Sequence, residues 1–391
     1  MEVKQIATII NNISSEILGE EAIQTEDLRN IVDIGTAIFN ATSVDNYVRS
    51  LMDHIGKMVF VDRVYNVATP SVLMDGWEYG AVVEKVTMSE LPEATENESF
   101  ELSDGVSYDP NIFYQPKVEA KFFSKKVTFE IPMSFTERQV KGSFSNATQM
   151  NAFMSMIRTG IENSLSIKTD ALIMRTINNF AGETVYADFG ANDPGASTGV
   201  KAVNLLYKYN TDVATTPITA DKALTDPEFI RFASREIGLV ANRMTRISTL
   251  FNIGGKERFT SRDRMHIILL NDFVKSADAY LQSDTYHDEY TQLPQSEVVP
   301  YWQASGTTYS FDDVSKIDVK TASNHDVSIS GILGVIFDRD ACGYNIYQND
   351  LQTSPYNAAG QYYNIFQHMN VQMCTDFTEK IVVLGIGIDD I

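Results

Sequence analysis

The chain reads as an α+β fold in which helices and strands are segregated along the sequence rather than alternating throughout. Three observations carry this reading: three short amphipathic stretches at the start, a helical period sustained over some 33 residues from Asn146 to Asn178, and strand-like runs on both sides of that helix.

From about residue 4 to 60, apolar residues recur at helical spacing in Val3 to Leu18, Thr25 to Asn40 and Ser43 to Val59. Thr25 and Ser43 supply hydroxyls that can cap free amide groups at a helix start. Each apolar stripe is thin, so the three helices are expected to pack on a neighbouring molecule or on later parts of the chain.

From Trp77 to Ile131 the pattern turns strand-like, in Tyr79 to Val86 and in Val118 to Ile131, the second alternating as Val127, Phe129, Ile131. A polar tongue lies between them. Across Glu84 to Asp109, eight acids stand against the single base Lys85, with Pro92, Gly105 and Pro110 as breakers. The returning strand carries Lys117, Lys121, Lys125 and Lys126. An isolated two-stranded excursion is marginal in water, so the tongue needs a surface to lie on.

The strongest helix follows, with Met150, Phe153, Ile157, Ile161, Leu165, Leu172 and Ile177 at mostly three- and four-residue steps. At about 1.5 Å per residue it spans roughly 50 Å, and Gly182 is expected to stop it. After the loop Asp188 to Gly199, a mixed α/β region runs to about residue 350. It has helices at Asp226 to Phe251 and Asn271 to Leu281, and strands at Met265 to Leu270 and Gly331 to Phe337. Tyr363 to Met373 and Lys380 to Ile386 read as two final strands around a turn at Thr375, Asp376 and Thr378.

With 391 residues the chain can bury one large core or two to three smaller ones. Its 31 basic and 52 acidic residues give a net charge of −21, which argues against a surface built to neutralise phosphates. Plain solubility explains the same excess. Cys342 and Cys374 stand far apart in sequence and in no metal-ligand spacing, which fits a reducing cytoplasm and leaves no disulfide framework. Glu2, Lys4 and Glu16 break the apolar pattern of the first 19 residues, so neither a signal peptide nor a membrane span is expected.

Catalytic patterns are missing where an enzyme would carry them. The five histidines, His54, His266, His287, His325 and His368, include no pair at ligand spacing, so neither a metal nor a cofactor is expected. The densest titratable cluster is Asp284, His287, Asp288 and Glu289, for which a solvated loop is the plainer reading. Gly254-Gly255-Lys256 lacks the remaining parts of a phosphate loop and reads as a turn after a helix. An acidic soluble enzyme working from the 284–289 cluster is the competing class, and it should be active as a dispersed monomer.

Charge complementarity between distant segments is the more informative feature. Arg231, Arg235, Arg243, Arg246, Lys256, Arg258, Arg262 and Arg264 share their stretch with only Glu236, Glu257 and Asp263. The tongue acids Glu90, Glu93, Glu96, Glu98 and Glu101 are expected to face these bases across two copies of the chain. Exposed pairs contribute about 0 to 1 kcal/mol each, so they set register more than affinity. Two independently solvated faces are the alternative.

The order of parts, helical start, long β excursion, long helix, α/β region and closing strands, resembles the Hong-Kong-97-type major capsid proteins of tailed bacteriophages. Local wording agrees at GWEYGAVVEKV, from Gly76 to Val86, at FDRDACGY from Phe337, and at YNAAGQYYNIFQHMNVQMCTDFTEKIVV, ending at Val383. The resemblance covers nearly the whole chain. It implies an N-terminal arm at 1–70, an extended β loop and its base at 71–135 and the spine helix of a peripheral domain at 136–189. An axial domain at 190–350 and closing strands of the peripheral domain at 351–391 complete the division. It further implies self-assembly into hexamers and pentamers of an icosahedral head that encloses double-stranded DNA without sequence-specific binding. A virion location, assembly in the host cytoplasm, and a scaffold protein, a portal and a decoration protein as partners follow from the same resemblance. An encapsulin-like nanocompartment shares the fold and is the alternative shell. The lysine–asparagine cross-link of some family members finds no matching pair here.

Overall fold

The computed structural model describes residues 3–19, 23–42, 44–61, 83–88, 111–123, 126–190, 197–282, 293–303, 310–321 and 324–386, with isolated positions between 91 and 105. Helices α1 (Val3–Leu18), α2 (Ile31–Ala41) and α3 (Val44–Val61) lead to the strands β1 (Val83–Met88), β2 (Val118–Phe123) and β3 (Lys126–Thr136). Helices α4 (Glu137–Ser143) and α5 (Ala147–Phe189) follow. The α/β part holds β4 (Ala202–Asn204), α6 (Leu205–Asp212), α7 (Ala220–Ala223), α8 (Pro227–Met244), β5 (Met265–Leu270) and α9 (Asn271–Gln282). It continues through β6 (Glu297–Val299), α10 (Phe311–Val314), β7 (Ile317–Lys320), β8 (Asp326–Ile329) and β9 (Ile332–Asp338). Strands β10 (Cys342–Thr353), β11 (Tyr362–Thr375) and β12 (Ile381–Gly385) close the chain.

Helix α5 is the axis on which the rest is organised. Its 43 residues span about 65 Å at ~1.5 Å each, and the Asn146 side chain caps its start by accepting from the Gln149 amide at 2.9 Å. The expected stop at Gly182 is not where it ends. The helix runs through Gly182 to Phe189 and ends at Gly190, whose φ of +60° is the left-handed conformation that favours glycine. Gly182 serves packing instead: a Cβ there would lie 2.3 Å from the Val319 Cγ2 atom, so its absence lets β7 approach the helix.

The N-terminal helices pack within the chain. Ile6, Ile10, Ile34, Ile38, Val48 and Leu51 share one buried cluster with Met150, Phe153, Ile157 and Ile161 of α5 and with Phe135 of β3. Of the two expected settings for these thin stripes, later parts of the same chain therefore supply this one. The antiparallel sheet β10-β11-β3 lays its inner face, including Val127, Phe129 and Met369, on the same long helix.

The second half of α5 packs on a five-stranded sheet of order β4-β12-β9-β5-β6. Ile381 and Val383 of β12 face α5, whereas Val382 and Leu384 face α6, α8 and α9, so this sheet is buried on both sides. The last two strands, read as neighbours in sequence, belong to different sheets: β11 pairs with β10 and β3, and β12 with β9 and β4. Helix α8, expected to reach Phe251, stops at Met244. The reason lies far away in the sequence, at Lys380. Its ammonium is fully buried and donates to the Met244 carbonyl at 3.1 Å and to the Arg246 carbonyl, satisfying the open end of the helix.

Candidate assembly interface

The tongue is a two-stranded hairpin whose register creates a problem and whose surroundings solve it. Lys85 of β1 stands directly opposite Lys121 of β2, and like charges across a strand pair repel. The Asp376 carboxylate sits between them, one oxygen 2.8 Å from Lys85 and the other 2.8 Å from Lys121. Glu379 accepts a second bond from Lys85 at 2.6 Å and lies 3.3 Å from Arg258. On the same face, Lys256 reaches Glu119 at 2.8 Å. The Gln372 amide adds a bond to the Phe123 carbonyl at 2.6 Å.

Both acids belong to the short turn between β11 and β12. Its backbone is fixed by the Asp376 amide donating to the Ala341 carbonyl at 2.7 Å and the Glu379 amide to the Asp376 carbonyl at 3.1 Å. Burial by itself would raise the Asp376 carboxyl, but bonds from Lys121, Lys85 and Thr378 outweigh it and hold the group well below the usual carboxylate range. Burial likewise opposes the Lys85 charge, and Asp376 and Glu379 more than restore it. The root of the tongue is thus clamped by ions to the chain's own closing turn.

Its other face has no such cover. Val86, Met88, Val118 and Phe122 alternate onto the outer side of the hairpin, with Val118 60% and Phe122 62% exposed. Phe113 and Tyr114, further out, are 83% and 80% exposed. A groove of about 690 Å³ separates Met88, Leu91 and Tyr114 from the loop bearing Lys256 and Arg258. Contiguous exposed apolar side chains of this kind mark contact surfaces rather than solvated ones.

The sequence-derived contact residues fall into three groups. Glu90, Glu93, Glu98 and Glu101 lie outside the described residues, as do Asp284, His287, Asp288 and Glu289; Glu96 is exposed. Among the bases, at least four have partners in their own chain. Arg235 meets Glu236 at 3.1 Å, Arg258 meets Glu379, Arg264 meets Asp340 at 2.5 Å, and Arg262 donates to the Asn242 side chain. Arg231, Arg243 and Arg246 are exposed on α8 or just beyond its end. The acids that answer Arg258 and Arg264 come from the last third of the sequence. The clamp on Lys85 and Lys121 was not among the sequence expectations. Its signal was Asp376-Phe377-Thr378-Glu379-Lys380, three charges set between two strongly apolar strands and read there only as a turn.

A family model for the Phi29-like phage major capsid protein matches residues 6–384. No curated protein sequence matches the chain. Among solved structures, the chain resembles the capsid structure of Staphylococcus phage Andhra at 9% identity and a TM-score of 0.47, over 83% of this chain and 84% of that one. It resembles the mature capsid of bacteriophage PhiM1 at 9% identity and 0.40, over 78% and 82% of the two chains. The capsid of the cyanophage P-SCSP1u is similar at 11% identity and 0.40, over 84% and 91%. The match along almost the entire length carries the assignment, and the chain belongs to the Phi29-like phage major capsid proteins, the structural subunits of phage heads.

Proposed function

We propose that this chain assembles as hexamers and pentamers of an icosahedral head, each tongue overlapping a neighbouring copy, and that its role is structural rather than catalytic. The observation that carries this is the tongue's two-sidedness. One face is tied to its own chain by Lys85, Lys121, Asp376 and Glu379, while Val86, Val118 and Phe122 on the other face remain largely exposed. A second copy supplies the missing surface. Weak contacts suffice, because a subunit held at several interfaces gains strength through multivalency.

In this reading the chain divides into an arm at 1–70, the extended loop and its base at 71–135 and the spine helix at 136–189. The axial region at 190–350 and the closing segment at 351–391 follow. Glu90, Glu93, Glu96, Glu98 and Glu101 face the arginines of a neighbour. A scaffold protein, a portal and a decoration protein are its partners during assembly in the host cytoplasm, and the head encloses double-stranded DNA. The net charge of −21 supports a lining that does not grip the packaged polymer.

Negative-stain microscopy of the protein expressed alone and with its neighbouring genes tests the proposal. Closed shells, tubes or sheets of capsomers are expected, and a monomer under every condition overturns it. Particles filled with a cargo enzyme, without a portal gene nearby, would favour the nanocompartment. Reversal of Glu93, Glu96 and Glu98 to Lys is expected to impair assembly, and unchanged particles remove the ionic part of the proposal.

A further inference from the structure

The loop that follows α8 presents three exposed apolar side chains on a backbone held unusually firmly. Ile247 and Phe259 are each 59% exposed and Leu250 58%. Ser248 and Arg258 exchange backbone hydrogen bonds at 3.0 and 3.3 Å, a short antiparallel ladder that sets Ile247 opposite Phe259. Lys380 holds the stem from beneath, through the Met244 and Arg246 carbonyls and the Ser248 hydroxyl at 3.3 Å, with the Phe251 ring 5.4 Å from its ammonium. The Asn252 side chain closes the far end, bonding the Lys256 carbonyl at 2.6 Å and amide at 2.9 Å. Gly254 and Phe251 are tied by backbone bonds to Phe377 and Ile381.

Such a platform loses little conformational entropy when something covers it, which is what a strong contact requires. Scattered exposed apolar residues are ordinary, but here three stand on one pinned loop. Arg243 and Arg246 flank them, exposed and with no carboxylate partner among the described residues. An apolar centre with a basic rim is the anatomy of a protein interface whose partner is apolar and acidic.

Resting on the reading of the chain as a self-assembling shell subunit, we infer that Ile247, Leu250 and Phe259 form the energetic centre of a contact with the tongue of a second copy, with Arg243 and Arg246 setting its register. The tongue has the matching chemistry. Eight acids lie between Glu84 and Asp109, and Leu91, Ile112, Phe113 and Tyr114 are exposed. Ile247, Leu250 and Phe259 are left uncovered by the described residues of their own chain.

The experiment assembles particles from a mixture of isotopically light and heavy copies carrying a photo-crosslinking phenylalanine analogue in place of Phe259. Mixed light–heavy peptides joining position 259 to residues 90–114 are expected. Cross-links within one copy, to DNA, to another protein or to any other part of a second copy overturn the inference. In parallel, the combined change Ile247→Ser, Leu250→Ser and Phe259→Ser is expected to leave the thermal melt of the dispersed chain nearly unchanged. It should raise the concentration needed for assembly by about tenfold or more, the effect of losing a central contact worth over 1.4 kcal/mol. Equal assembly of the triple variant and the wild type refutes the inference, whereas failure of the wild type to assemble refutes the shell reading instead.

Discussion

Two antiparallel β structures in this molecule are built from similar residues and held in opposite ways. The sheet β10-β11-β3 buries an apolar face on α5 and exposes a polar one that includes Thr128, Glu130, Ser134 and Asn364. The hairpin β1–β2 inverts this: its charged face is turned inward onto Asp376 and Glu379, and its apolar face is turned outward. The sheet is complete within one chain. The hairpin is clamped by ions that leave its apolar side uncovered. In the proposed assembly, stability and self-contact fall to different residues, and changes on the two sides separate them.

The largest effect on stability is expected in the shared core. Phe180, 1% exposed where α5 meets the α/β part, should cost about 3–5 kcal/mol as Phe180→Ala, seen as a large drop in the urea midpoint. Asp376→Asn comes next. It leaves Lys85 and Lys121 facing each other without the carboxylate charge they share, at about 1.5–3 kcal/mol for hydrogen bonds to charged groups. That loss is confined to the hairpin, so faster amide exchange in 83–88 and 118–123 with a nearly unmoved global melt is the expected pattern. Equal acceleration throughout the core would mean that the clamp supports the whole fold.

Acid should act in the same place. The Asp376 carboxyl is depressed in the folded chain, so its stabilisation is fully present above the ordinary aspartate value of 3.8 and is lost as pH falls below it. Amide exchange in the hairpin, corrected for the intrinsic effect of pH, should show more frequent opening from about pH 4 downward in the wild type and little change in Asp376→Asn. The smallest effect on the dispersed chain belongs to Phe122→Ser on the outer face, within about 0.5 kcal/mol by thermal melt. If that variant also assembles normally, the outer face is not the contact surface and the comparison fails.

Much of the architecture was legible because periodicity is local. Strand Met265–Leu270 and helix α1 coincide with their sequence expectations, and the sustained apolar spacing from Met150 to Ile177 marked α5. The errors arose where a distant residue overrides a local signal. Gly182 reads as a stop, but the helix runs through it to Phe189, and the missing Cβ makes room for Val319. The apolar and helix-compatible residues after Met244 read as more helix, but Lys380 captures the carbonyls that would continue it. The basic stretch 231–264 carries few acids of its own, and what its local sequence does not show is that Glu379 and Asp340 arrive from more than 70 residues away to meet Arg258 and Arg264.

The sequence by itself determined the class of fold, the order of its parts, the long helix and the acid-rich tongue, since each depends on neighbours a few residues apart. Tertiary structure decided which charges are already used and which apolar faces remain open. Lys85, Lys121, Asp376 and Glu379 become one clamp only when the closing turn meets the hairpin, and that meeting depends on burial and register, which composition does not encode.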